Sequence, residues 1–322
     1  MYLLKILVIG GTGHIGSYLV PRLVLDGHQV SVVARNPQPQ YSDVRLAWQA
    51  VEWIQADRRA EEAAGTWLAR MQGLEADVVI DLLAFTPEEN ATMVEAFKGR
   101  IDHFLHCGTI WSYGPSARAP YEEHYPRQPI TDYGIQKAQI EVDLQQAWRH
   151  EDFPATIIHP GHISGRRWLP LDPQGNRAGT EIYEKLASGK KVQLPDLGLY
   201  TIHHVHGDDV AQVFQRALDQ RESALGQSFN AVAPYALSLV ACCQSVAALF
   251  GRTAELEFVP LERMVEFVGK ENYPTIETHC EHSPCSSIAK SQRLLGYQPR
   301  YTTEQIYAEC IEYLLESKAL KI

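Results

Sequence analysis

Two patterns of apolar residues alternate along the first half of the chain. Short apolar runs fill Lys5–Ile9, Gln29–Ala34, Val51–Ile54, Val78–Leu83, His103–His106 and Thr156–His159, and read as buried strands. Between them, His14–Leu25, Thr66–Gln72, Pro87–Lys98 and Tyr133–His150 carry apolar residues at helical spacing. Turn residues mark the boundaries, as at Asp26-Gly27 and Asn36-Pro37. Alternation of this kind builds right-handed βαβ units. It implies a parallel sheet covered on both faces, with ligands held beyond the carboxyl ends of the strands.

After Pro160 the pattern loosens. Arg166–Arg177 carries Pro, Gly and Asn and is expected to form a loop over the site, as is Glu271–Ser287. Ala178–Ser188, Asp208–Leu218, Leu237–Phe250 and Ser286–Leu295 read as helices, and Ser228–Ala231 and Glu255–Val259 as strands. No clean linker divides the halves, so the second is expected to interleave with the first. The division expected is residues 1–163, rejoined by about 203–233, against a substrate lobe of 164–202 and 234–322.

The junction between the first strand and the first helix carries the strongest chemical signal. Gly11, Gly13 and Gly16 satisfy G-x-G-x-x-G, and Gly10, Gly13 and Gly16 satisfy G-x-x-G-x-x-G. One glycine makes a tight turn, one lets backbone approach a pyrophosphate, and one lets helix pack on strand. The helix N-terminus then faces the negative charge. Gly10, Gly13, His14, Ile15 and Gly16 are accordingly assigned to a dinucleotide cofactor. The fold class expected is α/β, a Rossmann-type doubly wound parallel sheet with a smaller C-terminal α/β substrate lobe.

Composition narrows the partners. The formal net charge of −10 argues against a nucleic-acid surface. No run approaches the ~18 apolar residues of a membrane span. The apolar opening is interrupted by Lys5 and runs into the glycines, so it reads as a strand and not as an export signal. The six cysteines form no disulfide-type framework, and a reduced, cytoplasmic protein is expected.

Tyr133 and Lys137 stand four residues apart at the start of the long helix, on one face. An ammonium beside a phenol favours its ionised form, so such a Tyr can exchange a proton with a substrate hydroxyl or carbonyl near neutral pH. The glycine pattern, this pair and the chain length together resemble the extended and atypical branch of the short-chain dehydrogenase/reductase superfamily, the NAD-dependent epimerase/dehydratase-like proteins. In that branch a strand ends in Ser or Thr, followed four and five residues on by Tyr-Gly. Thr109 with Tyr113-Gly114 fits. The resemblance implies that Tyr133 is the acid/base, that Lys137 tunes it and holds the ribose, and that Thr109 fixes the substrate oxygen, with Ser112 as an alternative hydroxyl. It also places Leu83, Ala84, Pro160 and His162 beside the cofactor.

The segments His159-Pro160-Gly161-His162, Val205-His206-Gly207-Asp208-Asp209 and Leu295-Gly296-Tyr297 resemble later family motifs, with Asp208 and Asp209 read as helix-capping residues. His159 stands for the usual Arg and His162 for the usual Asn. Ile110 and Trp111 occupy positions where the sugar-nucleotide dehydratases carry an Asp-Glu pair, so a 4,6-dehydratase is not expected. The second strand ends in Ala34-Arg35 in place of the acid that holds an NAD ribose. Arg35 can pair with a 2′-phosphate or stack on adenine; the first is favoured, hence NADP(H) over NAD(H). Asp57 is read either as a partner of the adenine amine or as a loop cap.

Trp111, Ser112, His162, His204 and His206, with His282 and Ser283 more weakly, are assigned to a small polar substrate. Neither His203–His206 nor His279–Cys285 has the paired spacing of a structural zinc site, so no metal is expected. Three functions stay open: an NAD(P)-dependent oxidoreductase of a sugar-like molecule, an epimerase using the same residues, and a non-catalytic dinucleotide sensor or scaffold. A homodimer is expected from the family.

Overall fold

Seven strands hydrogen-bond into one all-parallel sheet: β1 (Lys5–Ile9), β2 (Gln29–Ala34), β3 (Glu52–Gln55), β4 (Val78–Asp81), β5 (His103–Cys107), β6 (Ala155–Pro160) and β7 (Ser228–Ala231). The structure, a computed structural model, describes residues 3–39, 44–115, 117–176 and 179–321. Across the sheet the order is β7-β6-β5-β4-β1-β2-β3. The winding reverses between β1 and β4, which opens a crevice at their carboxyl ends, where doubly wound sheets take their ligands.

Side-chain alternation along the strands fills both faces. Ile6, Val8, Val32, Ile80, Leu105 and Ile158 pack on one side, against helix α1 (His14–Leu25) and the helix Gly207–Asp219. Leu7, Ile9, Val33, Val79, Phe104 and Ile157 pack on the other, against α2 (Pro87–Phe97) and α3 (Asp132–Glu151). Each such side chain contributes roughly 1.5–3 kcal/mol when removed from water. A separate core gathers Leu171, Ile182, Leu194, Cys242, Val246, Ile276, Cys280 and Tyr307 from the second half. Ile288, Leu295 and Tyr297 return to the first core, although they fall in a segment read as lobe.

Several expectations need correction. Glu271–Ser287 is not a loop. A helix, α4 (Val265–His282), runs through most of it, broken at Gly269 (φ +80°, ψ +160°). Pro274 lies inside this helix, five residues after the break. The helix Thr303–Glu316, capped by a reciprocal Thr302–Gln305 box, was not anticipated. The fourth strand stops at Asp81, two residues short of its expected end. Arg177 and Ala178, at the ends of the expected loop and helix, lie outside the described residues; the helix is seen over Glu181–Ser188.

Candidate functional site

The crevice begins at the glycine loop. Gly10 has φ +81°, and its N–H donates to the Val33 carbonyl at 2.9 Å, which ties the loop to β2. A Cβ on Gly10 would overlap the Leu83 side chain, and one on Gly16 would overlap the Gly11 carbonyl. These two glycines serve the protein's own packing. Gly13 differs: a Cβ there would meet nothing nearer than the Gly10 carbonyl oxygen at 3.6 Å. No protein atom demands glycine at that position, and the bare backbone at the start of α1 makes a cradle that suits a pyrophosphate. Ile15 points into the core and the His14 ring stacks on Trp168 at 5.2 Å, so both are left with their backbone N–H groups for a ligand.

From Gly13 a cleft of about 430 Å³ runs past Ala34, Arg35, Asn36, Asp57, Arg59 and Leu83. Arg35 and Arg59 are exposed on its wall, and the Arg35 side chain has no partner among the described residues. Asp57 caps the helix Arg58–Ala63, accepting from the Ala60 N–H at 3.2 Å, and also lines the cleft, so both readings of it stand.

A buried ion pair sets the far wall. Arg58 donates through Nη1 to both oxygens of Asp81, at 3.1 and 2.9 Å, through Nε to Glu62 and through Nη2 to the Glu89 carbonyl. Burial works against the guanidinium charge, but Asp81 and Glu62 outweigh it and raise the Arg58 pKa. Asp81 also accepts the N–H groups of Leu83 and Ala84, at 2.9 and 3.1 Å. The pair therefore fixes the turn that carries both expected cofactor neighbours.

Lys137 joins the ends of two strands. Its Nζ donates to the Ala84 carbonyl and to the Cys107 carbonyl, each at 2.6 Å, and only 2% of the residue is exposed. Burial pulls its pKa below the usual lysine value, with Cys107 and Asp81 acting the other way. Tyr133, one turn earlier, is 43% exposed, with its ring 6.4 Å from Phe85, a residue of the cleft. Gly134 lets this turn press on the segment after β5: a Cβ there would stand 2.6 Å from the Trp111 carbonyl oxygen.

Thr109 sits in that segment. Its Oγ1 accepts from the Trp111 N–H at 3.2 Å, which leaves the hydroxyl its own proton to donate. Its backbone N–H donates to His159 Nδ1 at 3.1 Å. That ring lies tight over Gly108, and its Nε2 is 3.3 Å from Glu141. Arg127 grips Glu141 with two bonds of 2.7 Å, and Ser228 donates to the same carboxylate. Burial opposes the Glu141 charge, but His159 and Arg127 prevail and hold the carboxyl well below its usual range. Ser112 is not an alternative substrate hydroxyl. It is buried, and donates to the Thr109 carbonyl at 2.8 Å.

Beyond Thr109 the walls are aromatic. Trp111 stacks on His282 at 4.5 Å and meets His279 and His162 edge-on at 4.7 and 5.9 Å; His162 lies 4.9 Å from His279 and 6.0 Å from His204. Burial pulls His282 down to about 4, so this imidazole is neutral at ordinary pH. His206 does not belong to this group. It caps the helix Gly207–Asp219 through Nδ1, donates Nε2–H to Glu309 at 2.7 Å and stacks on Tyr301 at 3.8 Å. Asp208 and Asp209 consequently do not cap that helix. Asp208 pairs with Arg22 and Arg300, and Asp209 accepts the backbone N–H groups of Arg300 and Tyr301. Ser283, another expected contact, accepts the Thr201 N–H at 3.0 Å and shares a bond with the Thr201 hydroxyl at 3.1 Å. Among the described residues no three His, Cys, Asp or Glu side chains converge as a metal set.

The model of the NAD dependent epimerase/dehydratase family matches residues 6–232, which include the glycine loop, Thr109, Tyr133, Lys137 and β7. The chain belongs to that family. It is 26% identical over 215 residues to a 2′-dehydrokanamycin reductase of Streptomyces kanamyceticus, a match covering 67% of this chain and 58% of the reductase. The chain thus spans less than two thirds of that relative. It is 24% identical to a UDP-glucose 4-epimerase of Mycolicibacterium smegmatis, across 96% of this chain and 98% of the epimerase. In fold it is similar to a UDP-glucose 4-epimerase from Thermotoga maritima, with a TM-score of 0.72, 21% identity and coverage of 98% and 99% of the two chains.

Within this epimerase/dehydratase frame, four site residues escaped the sequence reading: Arg58, Asp81, Arg127 and Glu141. Asp81 was visible as a charge ending an apolar run, but Arg58 lies 23 positions away and nothing local pairs them. Arg127 stands in an irregular segment without periodicity. Glu141 had a signal: it follows Tyr133 by two helical repeats of four and so shares the face of Lys137.

Proposed function

We propose that this chain is an NAD(P)-dependent oxidoreductase acting on a hydroxyl or carbonyl carbon of a small, polar, sugar-like molecule, with NADP(H) preferred. The carrying observation is the buried Lys137 ammonium, held by the carbonyls that end the β4 turn and β5, one helical turn from the accessible Tyr133. A bound nicotinamide supplies or accepts the hydride. Tyr133 gives or takes the hydroxyl proton of the substrate, and Lys137 favours the phenolate that this exchange requires. Thr109 donates its hydroxyl proton to the substrate oxygen, and the His159–Glu141–Arg127 relay holds its backbone in place. The preference for NADP(H) rests on Ala34 and on Arg35, whose exposed side chain on the cleft wall has no partner among the described residues.

Epimerisation is the second reading, because a relative matched nearly end to end is an epimerase. It needs the same residues and a cofactor retained through turnover. Denaturing the purified protein and weighing any released dinucleotide separates the two. An empty site that NADPH stabilises more than NADH, in a thermal shift, supports the reductase; stoichiometric NAD(H) carried through purification supports the epimerase. Protein that neither carries nor gains stability from any dinucleotide overturns both. Ile135 and Val142, exposed on the outer side of α3, support pairing of two copies.

A further inference from the structure

The turn after β4 gives four consecutive backbone N–H groups to two carboxylates. Asp81 accepts from Leu83 and Ala84, and Glu89 accepts from Phe85 at 2.5 Å and from Thr86 at 3.2 Å. Both acceptors are themselves fixed. Asp81 is held by the Arg58 guanidinium, and Glu89 is the third residue of α2, in a reciprocal capping box with Thr86. Bonds to ionised acceptors are stronger than neutral ones. The backbone of residues 83–86 is thereby pinned, and what the turn can still move is side chain.

Phe85 is the side chain placed to move. It is 40% exposed and lines the dinucleotide cleft. Its ring centroid stands 4.9 Å from Lys137 Nζ, within the range of a cation–π contact. An ammonium has three donors, and the Ala84 and Cys107 carbonyls take one each. The Phe85 ring is the third partner of this cation, which is buried on every other side.

That enclosure stands against the chemistry assigned to Lys137. An ammonium that serves Tyr133 and a dinucleotide has to be reachable from the cleft. The two carbonyls belong to β5 and to the pinned turn, and α3 carries Lys137 on its buried face. None of these can withdraw without breaking the sheet or the helix packing. Phe85 can, because an exposed side chain changes rotamer freely and here gives up one cation–π contact.

We infer that Phe85 is a gate at the nicotinamide end of the cleft: its ring covers the Lys137 ammonium and turns aside to let a dinucleotide reach it. This deepens the function proposed above and rests on it. Ring and dinucleotide compete for one cation, so the gate lowers the apparent affinity by the fraction of time it stands open.

The test uses the full chain and NADPH, with both rate constants read from NADPH fluorescence in stopped flow. Phe85→Ala should bind NADPH about three- to tenfold tighter, through faster association. Phe85→Tyr keeps an aromatic face and should return to wild-type rates. Neither change removes a backbone bond of the turn, so both variants should melt close to wild type. Acetic anhydride, a small amine reagent, reads the cover directly. Without NADPH, Lys137 should be acetylated several-fold faster in Phe85→Ala than in wild type, with the other lysines as internal standards. NADPH should then suppress that labelling.

Unchanged or weaker NADPH binding by Phe85→Ala overturns the inference, and weaker binding makes the ring part of the dinucleotide wall. Equal acetylation of Lys137 in wild type and Phe85→Ala also overturns it, because the ring then covers nothing. Wild-type protein that binds no dinucleotide marks failure of the underlying function instead. The acetylation arm needs no cofactor and still decides whether the ring covers the ammonium.

Discussion

The two ends of the cleft are built from different materials. At the dinucleotide end the wall is largely backbone: Gly10 and Gly16 are shaped by their own neighbours, Gly13 is left bare, and the β4 turn is held from beneath by Arg58 and Asp81. At the end proposed for the substrate the wall is side chain: Trp111, His162, His279 and His282 pack ring against ring, drawn from the segments after β5 and β6 on one side and from α4 on the other. A backbone wall recognises what all dinucleotides share, a pyrophosphate and a ribose. A side-chain wall recognises what distinguishes one substrate from another, and it can change without disturbing the sheet.

Removing the support beneath the dinucleotide wall should have the largest effect. Arg58→Ala strands the Asp81 carboxylate, which is fully buried, and breaking one member of such a pair costs about 3–5 kcal/mol. Chemical denaturation should show a loss of that size, together with loss of NADPH binding as the Leu83–Ala84 turn loosens. A loss under ~1 kcal/mol would mean that the turn stands without the pair.

The glycines sharpen the comparison inside that wall. Gly16→Ala forces a Cβ onto the Gly11 carbonyl, a backbone atom that cannot step aside, and should cost about 1–3 kcal/mol or more. Gly13→Ala brings its Cβ no closer than 3.6 Å to any protein atom and should melt within about a degree or two of wild type, yet lose the stabilisation that NADPH gives. If both variants lose stability alike, Gly13 is structural and the cradle is wrongly placed.

These differences explain what could be read from the sequence. Where a residue's role depends on neighbours close in sequence, the reading held: β1, α1, β2 and β7 have the bounds expected from their apolar runs and turns. Where a role depends on a distant partner, it failed. His206 looked like a cleft residue until Glu309 and Tyr301, about a hundred positions on, claimed its ring. The stretch Glu271–Ser287 was expected as a loop, while packing of Ile276 and Cys280 into the lobe core keeps most of it helical. The thirteen histidines could not be sorted by sequence at all, since most are distinguished only by what surrounds them.

That surrounding makes a prediction about pH. Burial pulls His14, His203 and His282 down to about 4, and His103 to about 3. In the unfolded chain all four return to about 6.5, so between those values the unfolded state binds more protons and stability falls as pH falls. Each imidazole adds at most about 1.4 kcal/mol per pH unit in that window. Asp172 has the opposite sign: burial raises it to about 7, so its contribution is present at low pH and lost as pH rises from about 4 through 7. The histidines outnumber it, and stability should decline from pH 6.5 downward. His282→Phe keeps a ring on Trp111 and should reduce that slope by nearly one proton, with Asp172→Asn steepening it. An unchanged slope in His282→Phe would show that this imidazole titrates as freely folded as unfolded.

The smallest effect expected is at the open rim of the dinucleotide wall, where the backbone stops and a side chain decides. Arg35 is exposed and its side chain makes no hydrogen bond or ion pair among the described residues, so replacing it costs the fold little. A charge-assisted bond from an exposed guanidinium to a 2′-phosphate is worth about 1.5 kcal/mol, close to tenfold in affinity. Arg35→Ala should therefore weaken NADPH about tenfold and leave NADH unchanged, since NADH carries no phosphate at that position. Stacking on adenine predicts otherwise, because both cofactors share the adenine and both would weaken together. Arg59, also exposed on the same cleft, is the natural second donor, and Arg35→Ala/Arg59→Ala should remove the preference if both contact the phosphate. The ratio of the two affinities, measured on the same protein, thus separates phosphate recognition from stacking without a known substrate. A ratio unmoved by either change would leave the wall at this end wholly to backbone.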